Sequence, residues 1–194
     1  MTIPAWTSEG VLPPINAANP VSSDRSPYVV PLSDFLMRFG QSPERLAVLD
    51  GLLRYRAALH KQGLVAGFQW VDGSFLEHIE IIESRPPNDV DVVTFYRLPA
   101  GKSQGDLARQ APELFPQNAA AKKALKASFH VDAYLVGLEI PPERLTQQSA
   151  YWYSIWSHRR NQVWKGFVQI DLAPTNDADA AKTLAGLVHA GAHP

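Results

Sequence analysis

The chain contains no cysteine, which excludes disulfides, thiolate zinc sites and a cysteine nucleophile together. It has no excess of either charge: 18 basic and 19 acidic side chains leave a formal net charge of −1. A protein that coats polyanions through net charge alone is therefore excluded, although a local basic patch is not. No apolar run approaches the ~20 residues that cross a bilayer. The start, Met1-Thr2-Ile3-Pro4-Ala5-Trp6, lacks the basic-then-apolar pattern of a secretory signal. These absences lead to the expectation of a soluble, cytoplasmic protein with no membrane contact. Two catalytic signatures are also missing. There is no Gly-x-x-x-x-Gly-Lys phosphate loop, and no Gly-x-Ser-x-Gly elbow to expose a serine nucleophile.

What is present is a chain of 194 residues, 45% of them hydrophobic, a length that suits one domain with its own core. Proline is unevenly spent, six of the 16 falling within the first 31 residues. Each fixes φ and lacks a backbone donor, so residues 1–31 read as an extended arm rather than a long helix or central strand. Trp6, Val11, Leu12, Ile15 and Tyr28 suggest an arm laid on the body, because a disordered tail is poorer in such residues. Residues 32–194 then form a single domain.

Within that domain, Ser33 and Gly40 bracket a short helix, and Ser42-Pro43 opens a longer one that closes at Gly63. Residues 64–71 and 89–96 read as strands, and 104–127 as mostly helical. Residues 129–138 form a third strand, a helix runs from Pro141 to about 162, and 163–172 make a fourth strand. A last helix is capped by Asn176 or Asp177. The expected fold is α/β (α+β), a small mixed sheet of four to five strands flanked by helices.

The chemistry-bearing stretch is Gly73-Ser74, fourteen intervening residues, then Asp89-Val90-Asp91 opening an apolar strand. Side chains at i and i+2 of a strand share a face, so Asp89 and Asp91 present two adjacent carboxylates. Like charges so close need a cation, and Mg²⁺ is a hard ion that accepts carboxylates and phosphates together. Asp132, inside the apolar third strand, needs a partner or a metal if buried. If the second and third strands pair, three carboxylates can hold two metals, Mg²⁺ or Mn²⁺. Asp171 is the rival third acid. Ser74 and Glu77 stand in capping-box spacing, which offers free backbone donors to a phosphate at a helix start.

This pattern resembles the DNA polymerase β-like nucleotidyltransferase superfamily, with its Gly-Ser, spacer, Asp-x-Asp and third acid on a later strand. More closely, the chain resembles an uncharacterised group of bacterial nucleotidyltransferase-like proteins in its "PAW…GVLPP", "GFQWVDGSF" and "RPPNDVDVVTF" segments. The resemblance implies Mg²⁺-dependent transfer of a nucleoside monophosphate from a nucleoside triphosphate to a hydroxyl on a protein, an RNA or a small molecule. By that match Gly73 and Ser74 take the phosphate, and Asp89, Asp91 and Asp132 are the metal-holding catalytic acids. The chain departs from the pattern in its long spacer and in showing no separate acceptor domain. The alternative is a non-catalytic scaffold of the same shape that binds a protein partner, as in a toxin–antitoxin or phage-defence system. A homo-oligomer is equally compatible with the sequence.

Three further features bear on the site. The aromatic run 151–156 ends in a basic cluster, and Arg159, Arg160 and Lys165 are candidate partners for triphosphate charge. Trp152, Ile155 and Trp156 read as the core stripe of a helix. His130 is expected to share a strand face with Asp132 and to support it by hydrogen bonding. Lys122, Lys123 and Lys126 read as solvated helix surface.

Overall fold

The computed structural model describes residues 2–191. Five strands form one mixed sheet: β1 (Tyr28–Val29), β2 (Gly67–Asp72), β3 (Val90–Tyr96), β4 (Val131–Gly137) and β5 (Val168–Asp171), in the order β1-β5-β2-β3-β4. The outer pairs β1–β5 and β3–β4 are parallel, and the inner pairs β5–β2 and β2–β3 are antiparallel. Seven α-helices lie among the described residues: α1 (Leu32–Phe39), α2 (Pro43–Lys61), α3 (Ile79–Ile82), α4 (Gln104–Gln110), α5 (Ala119–Phe129), α6 (Pro142–Trp156) and α7 (Asp177–Gly191). The fold is mixed α+β, a small sheet flanked by helices. None of these helices is long and apolar enough to cross a membrane.

Local chemistry explains the main elements. The Ser42 hydroxyl accepts from the Arg45 amide at 3.3 Å with Pro43 in the first turn, where a proline costs least. From there α2 buries Val48, Leu49, Leu52, Tyr55 and Leu59. In β3 every residue but Asp91 is buried, as a strand covered on both faces requires. The arm does lie on the body. Val11 and Leu12 are buried, and Tyr28–Val29 pairs with β5. The Trp6 indole donates to the Leu76 carbonyl at 2.7 Å while stacking on His78.

Several expected elements differ, among them the strand expected at 163–172, which spans only Val168–Asp171. The helix expected to start at Ser74 is a 3-10 turn at Ser74–Leu76 followed by the single turn α3. Glu77 does not turn back to cap it, because its carboxylate is drawn inward by Lys165 and Arg159 at 3.1 Å each. The helix expected to reach 162 ends at Trp156, and a loop follows in which His158 bridges Trp164. The third strand starts two residues late. His130 terminates α5 in the left-handed conformation, φ 53°, so it does not share a strand face with Asp132, and its ring faces the Asn88 carbonyl at 3.2 Å.

Candidate metal centre

Sheet register builds the site. Asp72 at the end of β2 pairs with Asp91 in β3, and Asp91 pairs with Asp132 in β4. Directly paired residues on neighbouring strands share a face, so three carboxylates stand in a row along one edge of the sheet. Asp89, two residues upstream of Asp91, joins them. Oxygens of Asp89, Asp91 and Asp132 all lie within 4.8 Å of one another. Asp171 lies elsewhere, paired with Phe68 at the opposite end of β2, its carboxylate accepting from the Ala173 amide.

Three of the four acids carry a lysine. Lys165 Nζ, buried, lies 3.0 Å from Asp72 and 3.1 Å from Glu77. On α5, Lys122 lies 2.9 Å from Asp132, and Lys126 contacts Asp89. Asp91, the centre of the row, has no ion pair among the described residues. Burial first, then the carboxylates of Asp72, Asp89 and Asp132, push the Asp91 carboxyl up to about 7, with Lys165 pulling back. Burial pushes Asp72 up to about 6 against the opposing pull of Lys165.

Gly73 completes the geometry. Its φ of +90° is a left-handed conformation, and a Cβ built there would sit 2.7 Å from Asp91 Oδ2. Only glycine allows the carboxylate to lie over the chain at this point. Beside it opens a polar cleft of about 570 Å³, lined among others by Gly73, Ser74, Asp91, His158, Arg160 and Lys165. Arg159 and Lys165, expected to meet a triphosphate, are already engaged. Arg159 pairs with Glu77 at 3.1 Å and with Glu83 at 2.8 Å, and Lys165 is sandwiched between acids. Arg160 is exposed at the cleft. Trp152 and Trp156 are buried in the core, as their spacing suggests, but Ile155 is exposed.

Asp72, Glu77, Lys122 and Lys126 were not legible as site residues in the sequence. The available signals were slight: an acid directly before Gly73-Ser74, and lysines at i and i+4 on a helix running into the strand of Asp132.

The residues fit a hard divalent cation. The donors are all carboxylate oxygens, which such ions prefer. Asp132 Oδ1 is buried and is met by the Lys122 ammonium 2.9 Å away. The raised Asp91 carboxyl has a consequence for stability. A group that holds its proton more tightly in the fold than in the unfolded chain stabilises the fold at low pH and loses that contribution as pH rises to its folded value. The metal-free protein in EDTA is therefore expected to lose several degrees of unfolding midpoint between pH 5 and pH 8. Asp91→Asn should flatten that slope, and an equally steep fall in the variant would assign it to other groups.

The structure thus defines a mixed α+β protein whose sheet ends in a row of carboxylates largely neutralised by lysines beside a polar cleft. By sequence the chain belongs to the family of unknown function DUF6932, which matches residues 4–171, from the arm through the end of β5. No curated protein and no solved structure matches it.

Proposed function

We propose that the protein is a Mg²⁺-dependent nucleotidyltransferase that moves a nucleoside monophosphate from a nucleoside triphosphate to a hydroxyl acceptor, whether protein, RNA or small molecule. The observation that carries this reading is the convergence of Asp89, Asp91 and Asp132 within 4.8 Å, with Asp91 opening onto the polar cleft lined by Gly73 and Ser74. Asp89, Asp91 and Asp132 would hold Mg²⁺, or Mn²⁺ in its place, and the bound ion would supply charge neutralisation at the reacting phosphate. The chain's own groups supply the rest. Gly73, expected to admit a phosphate, instead makes room for the Asp91 carboxylate over the main chain, and Ser74 offers a hydroxyl to a phosphate at the cleft. Arg160 supplies an exposed cation for the triphosphate tail, while Lys165 keeps Asp72 charged and paired so that the row is not wholly repulsive.

A second reading is favoured by one observation. Lysines already neutralise Asp72, Asp89 and Asp132, which suits a scaffold that binds a protein partner and turns nothing over. Calorimetric titration of wild type and Asp89→Ala with ATP, GTP, CTP and UTP in Mg²⁺ separates the two. Metal-dependent binding of one nucleotide, weakened at least 100-fold by the substitution, supports catalysis. No heat from any of the four, with both proteins folded, rejects it in favour of the scaffold.

A further inference from the structure

Lys122 and Lys126 stand one helical turn apart on α5 and reach the acid cluster side by side. Lys126 contacts Asp89, and Lys122 lies 2.9 Å from Asp132 with its ammonium 3.8 Å from the centre of the Tyr134 ring. Burial lowers the affinity of each ammonium for its proton, but hydrogen bonding and charge from the neighbouring Asp89, Asp132 and Tyr134 outweigh it, so both remain charged. Their partners are two of the three acids whose oxygens converge. An ammonium at that distance occupies the space and lone-pair directions a divalent cation needs.

The same two side chains have room to leave. They are 36% and 44% exposed, and each is a flexible four-carbon stem carrying a point charge. The helix beneath them is held by other contacts. Asn118 caps its start, Leu125 is buried in the core, and Phe129 packs edge-on against Tyr55 at its end. The ammonium groups can therefore swing into water while α5 stays in place. Lys123, between them in sequence, is exposed and makes no ion pair among the described residues.

We propose that Lys122 and Lys126 are resident counterions that a divalent cation must displace from Asp132 and Asp89. They stabilise the metal-free cluster against its own repulsion, and by competing for the same oxygens they set the affinity at which metal enters. The inference rests on the metal-holding role given to Asp89, Asp91 and Asp132 above.

Mn²⁺ alone is the probe, with free ion followed by electron paramagnetic resonance and unfolding followed in EDTA. Lys122→Met/Lys126→Met is expected to bind Mn²⁺ about tenfold more tightly than wild type, and to unfold several degrees lower in EDTA. Lys123→Met removes the same charge from the same helix without vacating an acid, and should change Mn²⁺ affinity less than twofold. If the double variant does not fold, Lys122→Gln and Lys126→Gln should each tighten binding a few-fold. Wild-type binding that is lost in Asp89→Asn yet unchanged or weakened in the lysine variants overturns the counterion role and leaves the metal site standing. Equal tightening by Lys123→Met also overturns it, assigning the effect to general charge. No Mn²⁺ bound by folded wild type or folded lysine variants overturns the metal reading itself, and the inference with it.

Discussion

Asp91→Asn is expected to abolish metal-dependent nucleotide binding, by at least 100-fold, while raising the unfolding midpoint of the metal-free protein by several degrees at pH 8. The two effects have one cause. Asp91 sits between Asp72 and Asp132 across the sheet, close to Asp89, and lacks the lysine that each of the others has. Its charge is opposed by burial and by three neighbouring carboxylates. An amide of the same shape removes that opposition along with an oxygen ligand. Strain of this kind is stored at functional sites and offset elsewhere in the fold. Thermal unfolding in EDTA and Mg²⁺–nucleotide titration of the same preparation test both halves. A variant both less stable and fully able to bind would mean that Asp91 is a structural acid, and would sink its assignment to the metal centre.

Arg45→Met carries the largest expected loss of stability, about 3–5 kcal/mol from two interior carbonyls left unpaired at ~1–3 kcal/mol each, or roughly 10 °C in a chain of this length. The guanidinium is almost wholly buried. It donates to both oxygens of Glu80, at 2.6 and 2.9 Å, and to the carbonyls of Phe75 at 2.7 Å and Glu77 at 2.6 Å. One side chain of α2 thus fixes the whole segment that follows Gly73. The substitution strands two carbonyls, each costly when buried and unpaired, and leaves the Glu80 carboxylate, a third exposed, to water. Glu80→Gln keeps a hydrogen-bonding side chain in place and should cost less than half as much. Chemical denaturation of the pair checks this, and equal losses would mean that the carbonyl contacts contribute little.

The parts of the site that were legible in the sequence are those written within one strand. Asp89 and Asp91 share a face by period alone, and the apolar run after them marks β3 as buried. Residues that come together through pairing between strands were harder. Nothing in the string Trp70-Val71-Asp72 gives the register that sets Asp72 opposite Asp91, because a slip of one residue would send it to the other face. Lys122 and Lys126 looked like soluble helix surface because their partners lie on β4 and on the irregular segment just before β3. Ser74 and Glu77 have capping-box spacing, yet a buried lysine and an arginine compete for Glu77 and win. The loop 157–166 defeated the helical reading because no proline or glycine stops the chain between Trp156 and Gln162, and the turn back that pairs His158 with Trp164 is made by tertiary contacts.

The arm has a consequence for how the chain acquires its structure. Tyr28 and Val30 donate their amides to the carbonyls of Phe167 and Gln169, and the Ser26 hydroxyl lies across 141 positions of sequence from Phe167. One edge of the sheet therefore waits for a partner that leaves the ribosome more than a hundred residues later. At synthesis rates of about 5–20 residues per second, the arm spends several seconds with Leu12 and Tyr28 waiting for Gly166 and Phe167. Pairing over such separations is also slow to nucleate, so β1 should be among the last elements to acquire protection from hydrogen exchange during refolding.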